Sequence, residues 1–349
     1  MSEDNVIEFN RVPGTHWDDE EIEMAQEVLK FAESVQEAAG KLGVTPASLR
    51  KAFKRRNLPS PSEFIEELDM EETSIKDSIR VYSDKGWHSP RNLSNKKHLI
   101  IPDAHAKPGV DNDRFEWLGR YIYDEKPDVV VCIGDFADME SLSSYDKGKK
   151  SFEGRRYLKD IESAVDAQEK LFHWVNQMEN KPRMVMCIGN HEARINRVSE
   201  SSPEFDGLVK MEDLRYEEFG WETYKFLDRV VIDEICYSHF FTSGVMNRAI
   251  SGEHPAASLI KKQYMSCTQG HSHTRDFAER TRADGKKMMG LVCGCYFEHD
   301  EHYATVANSL WWRGLVMKRH VNNGEYEPEF VPIEALKAKY GRQESRKVG

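Results

Sequence analysis

No apolar run in this 349-residue chain approaches the roughly 18 residues that a membrane-spanning helix needs, which excludes a channel or carrier built of such helices. No secretory leader is visible either. The chain opens Met1-Ser2-Glu3-Asp4-Asn5, acidic and polar where a leader is basic and then apolar, so cytoplasmic residence and no membrane partner are expected. Positive charge is also short. Lysine plus arginine minus aspartate plus glutamate is 49 − 60 = −11, so the chain as a whole repels polyanions and any nucleic-acid contact must use a local basic patch. Cysteine is sparse: Cys132, Cys187, Cys236, Cys267, Cys293 and Cys295. Four of them sit in or beside apolar runs, where free cysteine behaves as a small hydrophobe, and a disulfide framework is not expected. Cys293-Gly294-Cys295 can be read as a metal pair or as strand packing, and one lone pair favours packing. No repeat of solenoid period is visible. What remains, 39% hydrophobic and 31% charged residues with mean hydropathy −0.68, is a globular composition.

The length suggests about two domains. Residues 1–20 carry no period and read as an arm. From Asp18 to Leu58 the pattern is helical, with Ile22, Ala25, Val28, Leu29, Ala32 and Val35 at spacings of three and four. A helix with Ala38, Ala39 and Leu42 inward should stop at Gly43. Thr45 should cap the next helix, with Pro46 at its first position. Leu49, Ala52 and Phe53 then face inward, leaving Arg50, Lys51, Lys54, Arg55 and Arg56 outside. This resembles a helix-turn-helix of the DNA-binding kind over about 25 residues. DNA contact through Arg50, Lys51, Lys54 and Arg55 is one expectation; a small helical bundle used for dimerisation is the other. The expected division is a helical domain at 1–58, a polar linker at 59–95, a large domain at 96–335 and a tail at 336–349.

The large domain alternates apolar runs with helical segments, the signature of α/β layering. Expected strands are His98–Pro102, Val129–Ile133, Met184–Ile188, Val230–Tyr237, Ser266–Gln269, Met288–Tyr296 and Leu315–His320. Helical periodicity covers Arg114–Glu125 and Ile161–Met178. Five polar segments fall at or near strand ends: Asp103-Ala104-His105, Gly134-Asp135-Phe136-Ala137-Asp138, Gly189-Asn190-His191-Glu192, His239, and Gly270-His271-Ser272-His273. Ligands in α/β proteins gather at the carboxyl ends of strands, so one sheet edge is expected to carry all five. Carboxylate oxygen, amide oxygen and imidazole nitrogen together suit borderline divalent ions: manganese, iron, zinc or nickel.

D-x-H, GD-x-x-D, GNHE, H and GHSH, in that order, resemble the calcineurin-like metallophosphoesterases over roughly residues 97–300. The resemblance implies an α/β fold, a β-sandwich flanked by helices, to which the small all-α N-terminal unit is added. It implies two divalent ions, manganese first, with iron, zinc or nickel as alternatives. One ion would take Asp103, His105, Asp135 and His273. The other would take Asp135, Asn190, His239 and His271, with Asp135 bridging. Such a pair clamps a phosphate and activates water. His191 would act on the phosphate or the leaving oxygen and Asp138 would orient it. His254 is a rival to His239, but it sits in a loop flanked by glycine and proline. His299, His302 and His320 lie beyond the last motif and read as surface residues.

Substrate class is less legible. Asn190 to Arg197 is similar to the protein Ser/Thr phosphatases of this superfamily, but that branch carries arginines where this chain has Met139 and Ile188. Arg194 or Arg197 could replace that clamp or be plain helix residues. Asp146 to Lys159 holds six basic residues in fourteen, interleaved with Phe152 and Tyr157. Lys149, Lys150, Arg155 and Arg156 there suit a phosphodiester backbone, against the alternative of a solvated loop. The leading expectation is a metal-dependent phosphodiesterase, a DNA nuclease with DNA as partner. The alternatives are a phosphomonoesterase acting on protein or nucleotide, and a DNA-binding regulator with an inactive esterase domain. Chains of this build resemble bacteriophage-encoded metallophosphoesterases, which would place this one in a host cytoplasm. A homodimer is left open.

Overall fold

The computed structural model describes residues 16–32, 34–63, 65, 94–301 and 304–341. The chain divides into two compact units, residues 1–87 and 88–349. Most of the expected N-terminal arm, most of the expected linker, His302 and the last eight residues lie outside the described residues.

The first unit holds α1 (Asp19–Leu29), α2 (Val35–Lys41) and α3 (Pro46–Arg55). Each helix starts where a side-chain oxygen meets an orphan backbone N–H: Asp18 accepts from Glu21, Ser34 from Glu37 and Thr45 from Ser48. Gly43, at φ +62°, makes the tight turn between α2 and α3. Ile22, Ala25, Leu29, Ala38, Leu42, Leu49 and Phe53 form a core of their own.

In the second unit a six-stranded sheet runs in the order β13 (Glu325–Pro332), β12 (Gly314–Asn322), β1 (His98–Ile101), β2 (Val129–Cys132), β3 (Arg183–Cys187) and β4 (Glu222–Tyr224). β1 to β4 are parallel, and β12 and β13 are antiparallel additions. A five-stranded sheet has β10 (Arg275–Thr281), β11 (Lys287–Cys293), β9 (Ser266–Gln269), β6 (Ile235–Tyr237) and β5 (Val230–Ile232). Its central three strands are parallel too.

Side chains alternate across a strand, and here both faces are buried. Ile100, Val129, Val131 and Val185 face the second sheet, meeting Ile235, Tyr237, Leu291 and Cys293. Leu99, Ile101, Val130 and Met186 point the other way, onto a helical layer of α4 (Asp113–Glu125), α5 (Tyr157–Val175) and a C-terminal helix. Two-sided burial explains the near-continuous apolar runs of β1 to β3. All six cysteines are buried and free, which matches packing rather than metal binding at Cys293 and Cys295.

Several sequence expectations need correction. Val230–Tyr237 is not one strand. Asp233 and Glu234 both adopt left-handed backbone, at φ +50° and +62°, and fold it into the β5–β6 hairpin. β10 and β13 were not expected, because their polar, half-exposed residues lack a buried run. The last helix, Ile333–Tyr340, begins inside the expected domain and crosses residue 336 into the supposed tail, with Leu336 and Tyr340 buried in the core. The polar segments do not share one sheet edge either. Three follow β1, β2 and β3; the other two follow β6 and β9 of the second sheet, so the edge is that of the whole sandwich.

Candidate metal centre

Parallel strands put their carboxyl ends together, and the loops leaving β1, β2, β3, β6 and β9 are stitched edge to edge. Ala104 and His105 donate backbone N–H groups to the Asp135 carbonyl at 3.0 and 2.9 Å, and Gly270 donates to the His239 carbonyl at 3.0 Å. The backbone is bent to aim these side chains. His105, Asp135, His271 and His273 all lie in the left-handed region, at φ +45°, +52°, +68° and +59°. Such residues cost on the order of 1–3 kcal/mol each and persist only where the surroundings hold them.

Two glycines of the motifs are explained by space. A Cβ on Gly189 would lie 2.1 Å from Asp135 Oδ1, and one on Gly270 would lie 2.2 Å from Asp103 Oδ1. The carboxylates rest on these bare backbones and accept from them or their neighbours. His191 N–H donates to Asp135 Oδ1 at 2.8 Å, and His271 N–H donates to Asp103 Oδ2 at 2.9 Å.

All seven expected ligands converge. Asp103, His105 and His273 form one group and Asp135, His239 and His271 another, with the potential ligand atoms of each within 4.8 Å of one another. His273 Nε2 lies 3.1 Å from Asp103 Oδ2, and Asp135 Oδ2 lies 3.8 Å from His105 Nε2 and 3.4 Å from His239 Nε2. Asn190 Oδ1 is 2.8 Å from the same His239 nitrogen. His254 is exposed at the start of the helix Pro255–Gln263, whereas His239 is fully buried, which separates those rivals.

The residues fit metal ions. His105 is buried, yet neither ring nitrogen has a hydrogen-bond partner. Buried polar atoms are normally paired, so two bare nitrogens among carboxylates mark a place for a cation. Burial, with His191 adding to it, pushes His105 down to about 4. Burial, with His239 adding to it, does the same to His271, leaving both rings neutral lone-pair donors at neutral pH. His239 Nδ1 faces the Ile133 carbonyl at 3.0 Å, to which it can only donate, so Nε2 is turned to the site. Burial lowers His239, but the Asp135 carboxylate outweighs it and raises the pKa to about 9.

His191 reaches the same cluster, its potential ligand atom within 4.8 Å of those of His105 and Asp135, but its other nitrogen is held differently. Its Nδ1 lies 2.8 Å from both the carbonyl and Oδ1 of Asp138, acceptors only, so Nδ1 carries a proton and Nε2 faces the site, 3.7 Å from Asp135 Oδ2. Burial works to raise the Asp138 carboxyl, but its hydrogen bond to His191 prevails and holds it far below the usual range.

Residues beyond the expected ligands build this frame. Glu192, fully buried, accepts from the N–H groups of Asp135, Ala137 and Gly189 at 3.0–3.1 Å and from the Tyr216 hydroxyl at 3.1 Å. It thereby locks the β2 loop to the β3 loop. Arg114, also buried, donates to the carbonyls of Ala104 and His105. Arg194 donates to the Asp138 carbonyl at 2.8 Å, a brace rather than an exposed helix residue. Lys107 Nζ lies 2.7 Å from Glu301 and 3.9 Å from Asp138. His299 is not a plain surface residue: it reaches Glu301 at 2.8 Å and stacks on Phe297. His320 is half-buried, its Nδ1 2.8 Å from the Ser94 carbonyl. A basic residue two positions after His105 was the one available hint of Lys107.

The expected basic residues fall in both units. Arg50, Lys51, Lys54 and Arg55 are exposed on α3 of the first unit, Arg55 contacting His16 at 2.7 Å. In the second unit Arg155 is spent on acids, 2.8 Å from Asp146 and 3.5 Å from Glu140, so it is not a free phosphate contact. Asp146 also holds Lys149, folding the loop back. Lys150 and Arg156 are exposed. Tyr157 is half-buried and donates its hydroxyl to Asp213 at 2.7 Å. From this loop Tyr145 and Lys147 line a cleft of about 570 Å³, whose other lining residues include Asn190, Arg197, Phe240 and His271. No described helix is long and apolar enough to cross a membrane.

A family model described as calcineurin-like phosphoesterase matches residues 96–285. A relative from Mycobacterium phage L5, the gene 54 protein, is 23% identical over 248 residues, covering 68% of this chain and 94% of that one. Among solved structures, Yfce, a phosphoesterase from E. coli, aligns with 68% of this chain and 99% of its own at 12% identity and a TM-score of 0.30. A dimetal phosphatase from Danio rerio aligns with 68% of this chain and 96% of its own at 9% identity and a TM-score of 0.34.

Proposed function

The chain belongs to the calcineurin-like phosphoesterase family and is a metal-dependent hydrolase, and on that premise we propose that it cuts phosphodiester bonds in nucleic acid, as a DNA nuclease. The observation that carries a metal-dependent centre is the convergence of lone-pair donors around Asp135, with the two unpartnered nitrogens of His105 among them. Asp103, His105, Asp135 and His273 would hold one ion, and Asp135, Asn190, His239 and His271 the other; the mixture of hard oxygen and borderline nitrogen donors suits manganese. Two such ions supply Lewis acidity to the phosphoryl oxygens and activate water as nucleophile.

The chain's own groups do the rest. His191 keeps its Nδ1 proton on Asp138; burial opposes a second proton, but the Asp135 and Asp138 carboxylates outweigh it, and in that imidazolium form Nε2–H gives its proton to the departing oxygen and the ring is left neutral. Asp138 fixes that orientation, and Arg194 and Lys107 steady Asp138 in turn. A diester is favoured over a phosphoprotein because Met139 and Ile188, where the protein phosphatases carry arginines, are apolar and buried. On the first unit, Arg50, Lys51, Lys54 and Arg55 line the exposed face of a helix that follows a tight turn, as a DNA-reading helix does.

The test is full-length protein, stripped and reloaded with Mn²⁺, given 4-nitrophenyl phosphate, bis(4-nitrophenyl) phosphate, and single- and double-stranded DNA. Turnover of the diester and of DNA is expected. Turnover of the monoester alone would overturn the nuclease and leave a phosphomonoesterase. For α3, DNA affinity should fall steeply with salt, and each neutralised Lys or Arg should lower that slope by about one unit. Salt-insensitive behaviour with a change of mass would reassign the unit to dimerisation.

A further inference from the structure

The cleft beside Asn190 and His271 has a lining that phosphate binding alone does not require. Phe240 follows His239 directly, and its ring centroid lies 4.7 Å from that of His271 and 5.6 Å from that of Phe226. All three line the cleft. Tyr145 lines it as well and is 82% exposed, a large aromatic left facing water at the rim. Cations share the same walls. Lys147 stands two residues after Tyr145. Arg197 donates through one nitrogen to the Asn190 carbonyl, at 2.6 Å, and a guanidinium has further N–H groups to offer. Aromatic faces interleaved with lysine and arginine are what binds the unpaired bases and the backbone of a single strand. A small alkyl phosphate would use only the cations, and a duplex keeps its bases inside the stack.

Resting on the phosphodiesterase reading, we propose that Tyr145, Phe240 and Phe226 form a stacking subsite for the nucleobase next to the scissile phosphate, with Lys147 and Arg197 meeting the flanking phosphates. The place of the ring fixes the assignment. Phe240 sits against His271 and adjoins His239, so a base resting on it has its own phosphate at the ligand cluster. Every base has a π-face, so the subsite distinguishes a nucleotide from a simple ester without reading sequence. The preferred substrate is then single-stranded or frayed DNA.

Two diesters that release the same 4-nitrophenolate test this on full-length protein with Mn²⁺: thymidine 5′-(4-nitrophenyl phosphate), which carries a base, and methyl 4-nitrophenyl phosphate, which does not. The wild type should prefer the thymidine ester in kcat/KM by tenfold or more. Tyr145→Ala should shrink that preference by about tenfold, the size of one stacked base, mainly through KM. Tyr145→Phe, which keeps a ring, should retain it. Phe240→Leu should shrink it independently. Turnover of both diesters with no preference, or with a preference the variants leave unchanged, overturns the subsite while leaving the phosphodiesterase standing. Turnover of 4-nitrophenyl phosphate with neither diester cleaved overturns the phosphodiesterase itself. A Tyr145-dependent preference for a phosphotyrosine peptide over both diesters would give the aromatic wall to a protein side chain and overturn the nucleobase.

Discussion

Strand β1 has a buried histidine–carboxylate cluster near each end, and the two are opposites. At its start His98 is fully buried, but both ring nitrogens are matched: Nδ1 lies 2.8 Å from the Tyr237 hydroxyl and Nε2 lies 2.9 Å from Asp233 Oδ2. Beside it Lys318, also fully buried, donates to Thr268 Oγ1 at 2.5 Å and lies over the rings of Tyr237 and Tyr326. Beyond its far end His105 is just as buried and neither nitrogen is matched. Four of the seven candidate ligands there have left-handed backbone, and none of the residues just named around His98 does except Asp233, in its hairpin turn. Burial of histidine with aspartate is therefore no sign of a metal site by itself. The His98 ring has both nitrogens paired, whereas the His105 ring faces carboxylates with its nitrogens unpaired, an arrangement a cation would neutralise.

The largest break should come at the bridging position. Asp135→Asn removes the one carboxylate shared by both groups, and turnover should fall by about a thousandfold or more, with metal content dropping below two ions per chain. Elemental analysis beside kinetics checks it; an active protein holding one ion or none would refute the two-ion centre. The same substitution at Asp233 should leave metal content untouched.

His191→Ala comes next, with a loss of roughly 10²- to 10⁴-fold in kcat while both ions stay bound. Asp138→Asn should cost less, because the Asp138 carbonyl still holds the ring. If His191→Ala empties the site, His191 belongs with the ligands rather than beside them.

The smallest effect sharpens the other end. Burial, with Lys318 adding to it, holds His98 down at about 4 against an ordinary 6.5. Its folded pKa is depressed, so the stability it permits is complete above pH 6.5 and is lost as pH falls from 6.5 toward 4. The unfolded chain takes the proton there and the folded one resists it. The loss should be about 3 kcal/mol over that window. Urea denaturation of wild type and His98→Gln between pH 7.5 and 4 measures it: the variant should be weaker at pH 7.5 and fall less steeply below 6.5. Parallel curves would show that His98 is not the acid-sensitive group.

The candidate ligands were legible because each ends or follows a strand, and Asp135, Asn190 and His271 each follow a glycine directly. Gly189 and Gly270 are there because a carboxylate from another loop lies where their side chains would be. The paired helices were legible for a similar reason: Thr45, Pro46 and Gly43 act on backbone within three or four residues of themselves. Arg155 was misread because its charge was visible but its partners, Glu140 and Asp146, could be recognised only once the loop had folded back on them.

Sequence by itself determined the donor set, its order and the alternation of strand and helix, all of which rest on local backbone geometry and side-chain chemistry. Tertiary structure alone decided that two sheets rather than one carry the candidate ligands, and that Tyr145 and Phe240 share a cleft. It alone brought Lys107 to Glu301, 194 positions away, and left His105 unmatched while His98 was satisfied. Those outcomes depend on which distant groups meet in a buried space, and burial is what turns an unpaired nitrogen from an ordinary hydrated group into one that calls for an ion.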